Sequence, residues 1–76
     1  MELKNFIENF ASQFDETDAS VFTAQTEFKN VEEWSSLLAL SVIAMVDEEY
    51  EVAIKGEDIR NAQTIEDLYN IVKSKK

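Results

Sequence analysis

The chain is expected to fold as one all-α domain, and three features of its sequence point that way. It has no proline and a single glycine, Gly56, so nothing supplies the turn chemistry that repeated β-hairpins require. Leu, Ile, Val, Ala, Glu and Lys are abundant, and the apolar residues recur at three- and four-residue intervals. Its 76 residues allow one modest core and leave no room for a second domain, so residues 1–76 form a single unit.

The first helix is expected over residues 2–14. Leu3, Phe6, Ile7, Phe10 and Phe14 make an amphipathic stripe, with Lys4, Asn5, Glu8 and Asn9 facing water. Residues 15–33 are polar and rich in Asp, Ser, Thr, Asn and Gln, with Val21, Phe22, Phe28 and Val31 as apolar anchors. Loops of that length are usually functional or disordered, and the spaced anchors favour an ordered one with a helical turn near residues 18–24. A second helix should begin at Ser35 or Ser36, since either hydroxyl can cap it, and should end near Tyr50. Trp34 is placed to pack back on its first turn.

That helix carries apolar residues on all three faces. Ala39, Val42, Ile43, Val46 and Tyr50 share one; Ser36, Leu37, Leu40, Ala44, Asp47 and Glu48 a second; Leu38, Ser41, Met45 and Glu49 a third. A domain this small can hardly bury every side of one helix, so a partner-facing patch competes here with plain core filling. Beyond it, Val52 and Ile54 read as a short extended connection. Gly56 breaks the pattern and Glu57-Asp58 opens a short third helix to about Asn61. Thr64-Ile65-Glu66-Asp67 has the form of a capping box for a last helix, whose stripe is Leu68, Ile71 and Val72 with Tyr69 beside it. Lys73, Lys75 and Lys76 complement the negative end of its dipole in a tail expected to fray.

Sixteen acidic against seven basic residues give a formal charge of -9, which repels nucleic-acid phosphates and anionic headgroups and attracts basic protein surfaces. Nucleic acid and membrane are therefore not expected partners. Without cysteine there is neither a disulfide framework nor a thiolate metal site, which together with the absence of a signal-peptide pattern suits the cytoplasm. The acids around Asp47-Glu48-Glu49 lack the ligand spacing, mid-loop glycine and closing Glu of a calcium loop, so no metal site is expected. Catalysis is not expected either. A serine nucleophile needs a general base, the chain has no histidine, and no carboxylate pair is set to have its pKa values pushed apart. A serine at a helix start is better suited to being modified, because unpaired N–H groups and the positive end of the macrodipole favour a phosphodiester there.

The order helix, long loop, serine at a helix start, acidic helix end, short helix and final helix resembles the acyl carrier protein family, with its related peptidyl carrier domains. Ser36-Leu37 stands where that family has its Asp-Ser-Leu motif. From there to Val72 the patterns run together: apolar Val42, Ile43 and Val46, acidic Asp47, Glu48 and Glu49, aromatic Tyr50, then Val52, Ile54, Glu57, Asp58 and Thr64-Ile65. The first half matches loosely, through the Phe-rich first helix and Thr26-Glu27-Phe28. The resemblance implies a small four-helix bundle of acyl-carrier type with a long first loop and a short third helix. It also implies 4′-phosphopantetheine on Ser36, added by a separate phosphopantetheinyl transferase from coenzyme A with Mg²⁺. Acyl or aminoacyl groups would then ride as thioesters to partner enzymes of fatty acid, polyketide or related biosynthesis. Leu37, Leu40, Ala44, Asp47, Glu48 and Glu57 would meet basic docking patches on acyl-transferring or condensing enzymes, and Ile43, Val46, Ile54 and Ile71 would line an acyl-chain cavity. A monomer is expected.

The chain departs from the family where Ser35 replaces the usual Asp and where Leu38 and Ser41 replace acids of the second helix. Docking then leans on Asp47, Glu48, Glu57 and the apolar stripe, which favours a specialised partner set. The rival reading is an unmodified acidic interaction module, in which Ser35 and Ser36 serve only as caps and the acidic surface binds a basic protein or mimics nucleic acid.

Overall fold

Helical periodicity and capping residues divide the chain into the elements expected. In the computed structural model, which describes residues 2–76, these are α1 (Leu3–Ala11), α2 (Ser36–Tyr50), α3 (Gly56–Asn61) and α4 (Ile65–Lys75), with no strand among the described residues. α1 packs on α2 and α4, and α3 packs on α2 and α4.

The core is aromatic at one end. Phe10 is fully buried, and its ring centroid lies 5.2 Å from that of Phe28, 5.7 Å from Phe14, 6.1 Å from Phe22, 6.4 Å from Trp34 and 6.5 Å from Phe6. These separations are those at which aromatic rings attract beyond simple area burial. α1 stops at Ala11, earlier than its stripe suggests, yet Phe14 stays buried because a turn carries it on to Phe22, 4.6 Å away between centroids. Asn9 is not purely solvent-facing: its amide donates to the Tyr50 hydroxyl at 2.9 Å, and that hydroxyl donates to Asn5 Oδ1 at 2.8 Å. This pair of bonds ties α1 to the end of α2.

The long loop is ordered by two 3₁₀ turns. One, Ala19–Val21, lies where a helical turn was expected and is capped by Asp18, whose carboxylate accepts from the Ser20 N–H at 2.8 Å. The other, Phe28–Asn30, buries Phe28 completely. Phe22 is also an anchor, but Val21 is 48% exposed and anchors nothing. The loop is strapped to the start of α4, where the carbonyls of Thr26 and Ala24 accept from the N–H groups of Ile65 and Glu66 at 3.1 and 3.0 Å. Helix-start donors that would otherwise want water are thereby satisfied.

α2 ends at Tyr50 because Glu51 takes the left-handed conformation, φ 56° and ψ 38°, and returns its N–H to the Asp47 carbonyl. Val52 and Ile54 then alternate inward around exposed Ala53. Gly56 is not the breaker: it is the first residue of α3 with an ordinary φ, and the Asp58 carboxylate closes that start by accepting from the Lys55 N–H at 2.9 Å. The α4 capping box forms as expected. Thr64 Oγ1 accepts from the Asp67 N–H at 3.1 Å, and Asp67 Oδ2 accepts from the Thr64 N–H at 3.0 Å. The terminal lysines are tied down where fraying was expected. Lys75 Nζ lies 3.8 Å from Asp58, and Lys76 Nζ donates to the Tyr50 carbonyl at 3.1 Å.

Candidate functional site

Two adjacent serines enter α2, and the backbone gives them different tasks. Ser35 is extended, with φ -155° and ψ 171°, and its Oγ accepts from the Leu38 N–H at 3.3 Å, so Ser35 is the cap. Ser36 is the first helical residue. It is exposed, and its hydroxyl has no hydrogen-bond partner among the described residues. Ser35→Ala is expected to cost about 1 kcal/mol of stability through the lost cap, measurable by urea unfolding. A change within error would show that the cap contributes nothing.

The chain is delivered to these serines by Glu33. Its carboxylate accepts from the N–H groups of Asp15 at 2.9 Å, Glu16 at 3.1 Å and Thr17 at 2.9 Å, and from the Thr17 hydroxyl at 2.7 Å. Both ends of the long loop are thus held by one side chain. The Thr17 hydroxyl above all, with the three backbone donors, holds the carboxyl below its ordinary value of 4.5, against the opposing effect of desolvation. A lowered folded-state pKa gives stability that is complete above the unfolded value and is lost as pH falls through the folded value. Asp18 and Asp67 are lowered too, by the backbone N–H groups of Ser20 and Thr64 respectively. The melting temperature should therefore fall below about pH 4.5. In Glu33→Gln it should be lower at neutral pH and change less across that acid range; parallel curves for the two proteins would remove Glu33 from the account.

Beside Ser36 lies an open cleft of about 640 Å³. Trp34, Ala39, Ile43 and Ile59 give it apolar walls, Ser35 and Ser36 form part of its rim, and Lys29 and Arg60 supply its only charges. Trp34 stacks on Phe10 and Phe14, at 6.4 and 6.3 Å between centroids, so one wall of the cleft is also an edge of the core. A larger hollow of about 880 Å³ runs between α1 and the first 3₁₀ turn and includes neither serine.

All six residues of the second α2 face are exposed: Ser36, Leu37, Leu40, Ala44, Asp47 and Glu48. Leu37 is 73% and Leu40 62% exposed. Glu57 is exposed at the start of α3. Of the four residues expected to line an acyl-chain cavity, only Ile43 lies in the cleft; Val46 and Ile54 are buried in the core and Ile71 is half-buried on α4. Spacing along α2 places Val46 on the correct side but cannot tell a cleft wall from filled core. Lys29, Ile59 and Arg60 were missed by sequence reasoning, since they lie on a loop turn and on α3 and only tertiary packing brings them to the cleft beside Ser36.

Among the described residues no three acidic side chains gather where they could hold a metal ion, and no helix is long and apolar enough to cross a membrane. The chain matches no protein-family model, no curated protein and no solved structure.

Proposed function

We propose that this chain is an acyl carrier protein whose Ser36 bears 4′-phosphopantetheine. The observation that carries the reading is the division of labour at the α2 entrance: Ser35 takes the cap and leaves the Ser36 hydroxyl exposed and uncommitted. The residues fit the group. The N–H groups of Ser36 and Leu37 open a helix whose macrodipole favours a phosphodiester at that end. When bound, the group would supply the thiol that the chain lacks. The protein's own residues would present that thiol, with α2 as the docking face and the chemistry left to partner enzymes. The fold would then be a four-helix bundle of acyl-carrier type.

The docking face is graded. α2 has no charged side chain between Ser36 and Val46, then Asp47, Glu48 and Glu49 in succession. At 1.5 Å per residue the acids begin about 16 Å from Ser36. A partner that reads this face needs an apolar surface beside the serine and a basic patch farther along. Replacing Asp47 and Glu48 together by lysine should raise the transferase KM roughly tenfold at low ionic strength and much less at high salt. Equal effects at both would show that charge is not what the transferase reads.

The direct test of the reading is intact mass after incubation with coenzyme A, Mg²⁺ and a broad-specificity phosphopantetheinyl transferase. Gain of one phosphopantetheine is expected. The exposed pair Leu37 and Leu40 would equally suit an unmodified interaction module, and a folded chain that gains nothing while a control carrier is loaded would favour that second reading.

A further inference from the structure

The hollow of about 880 Å³ between α1 and the first 3₁₀ turn shares no lining residue with the serine cleft. Leu3, Ile7 and Ala11 of α1, with Phe14, Ala19 and Phe22, make its lining mostly apolar. Its polar groups are largely engaged within the fold. The Ser12 hydroxyl donates to the Asn9 carbonyl at 2.7 Å, the Thr17 hydroxyl to Glu33 at 2.7 Å, and the Ser20 N–H to Asp18 at 2.8 Å. A polar metabolite would find few free partners there, so what the hollow offers is apolar surface.

That surface has the relief of a helix-packing site. Leu3, Ile7 and Ala11 stand four residues apart and form one ridge along α1, and Lys4, Glu8 and Ser12 form the next. The groove between two such rows accepts the side chains of a second helix. α1 is nine residues long, so the groove runs beside about two and a half helical turns.

Charge then selects the partner. Glu2, Glu8, Asp15, Glu16 and Asp18 are all exposed, and Lys4 is the only base in residues 2–22. Glu8 lines the groove, and Asp15 and Glu16 lie on its rim between the lining residues Phe14 and Thr17. Glu8 forms no ion pair with Lys4 among the described residues, although one turn separates them. A second copy would bring its own formal charge of -9 to this acidic rim, and a fatty-acid anion would be repelled likewise. We propose that the groove docks an amphipathic helix of a partner protein, its apolar face on Leu3, Ile7 and Phe14 and its lysines or arginines on Glu8, Asp15 and Glu16. This surface is separate from the α2 face and holds whether or not Ser36 is modified.

The probe is a labelled helical peptide of about 18 residues, long enough to hold a helix, with leucines along one face and lysines flanking them. A scrambled peptide of the same composition and one with glutamate in place of lysine serve as controls. Binding to the full chain is read by fluorescence anisotropy and located by ¹⁵N amide shifts. The lysine peptide should bind and the controls should not, with shifts confined to residues 3–22 and absent from the α2 face. Ala19→Gln, which fills the groove from an exposed position without changing charge, should weaken binding about fivefold or more. Glu8→Lys with Glu16→Lys should weaken it about fivefold at low ionic strength and less at high salt. Asp47→Lys with Glu48→Lys makes the same change in net charge on α2 and should leave binding unchanged.

No binding of the lysine peptide, or equal binding by the Ala19→Gln variant, would overturn the proposal. So would a loss confined to the Asp47→Lys, Glu48→Lys variant, which would place the helix on the α2 face. A dimer of the free chain that Ala19→Gln abolishes would overturn it as well, by seating a second copy in the groove.

Discussion

Replacing Phe10 by alanine is expected to remove about 3–5 kcal/mol of stability, a large part of what holds the domain folded. The ring is fully buried and meets five other aromatic rings: Phe6 of α1, Phe14 just beyond it, Phe22 and Phe28 of the long loop, and Trp34 two residues before α2. Its removal empties the point where those segments converge. Truncating a buried phenylalanine costs about 3–5 kcal/mol, and a domain of this length has total stability of roughly 4–11 kcal/mol at 0.05–0.15 kcal/mol per residue. Much of that margin disappears with one side chain. Urea unfolding followed by far-ultraviolet circular dichroism should show a midpoint at or below half that of the parent. Val21→Ala, at a half-exposed position in the same loop region, should shift stability by no more than about 0.5 kcal/mol. A Phe10→Ala loss under about 1 kcal/mol would mean that the aromatic cluster is not the keystone described.

What could be read in advance depended on whether a signal was local. α2 and α4 were legible because a hydroxyl cap, a periodic stripe and, for α4, an acid three residues past the cap all lie within the helix's own sequence. The exposed α2 face was legible as a conflict, since apolar residues on every side of a helix in so small a domain must leave some in water. The end of α1 was overrun because Phe14 keeps the stripe spacing while packing from a turn. The end of α2 rests on Glu51 in a left-handed conformation that its side chain does not advertise, whereas Gly56, the obvious candidate for conformational freedom, uses none. The tied tail was hidden too, because its partners, Asp58 and the Tyr50 carbonyl, come from other elements.

The candidate site divides in the same way. Ser36 and the α2 face are contiguous in sequence and were named from it. Lys29, Ile59 and Arg60 come from a loop turn and a different helix, and no periodicity links them to the serine. Sequence also left open which serine caps α2, because both hydroxyls can. The backbone decides it, with Ser35 extended and within reach of the Leu38 N–H.

With Ser35 as the cap, the two serines can be told apart by a single comparison. Ser36 is exposed and makes no side-chain hydrogen bond among the described residues, so Ser36→Ala should fold with stability within about 0.5 kcal/mol of the parent. It should nevertheless lose all capacity to be loaded, because the acceptor oxygen is gone. Ser35→Asp should behave oppositely. Aspartate caps a helix about as well as serine and adds a favourable charge at the positive end of the dipole, so this variant should fold and still accept one phosphopantetheine. The measurement is intact mass and fragment mass for the two variants and the parent, treated side by side with coenzyme A, Mg²⁺ and transferase. One added group is expected on Ser36 in the parent and in Ser35→Asp, and none in Ser36→Ala. A loaded Ser36→Ala beside an unloaded Ser35→Asp would contradict this by moving the site to the cap, and three folded but unloaded proteins would remove the carrier function altogether.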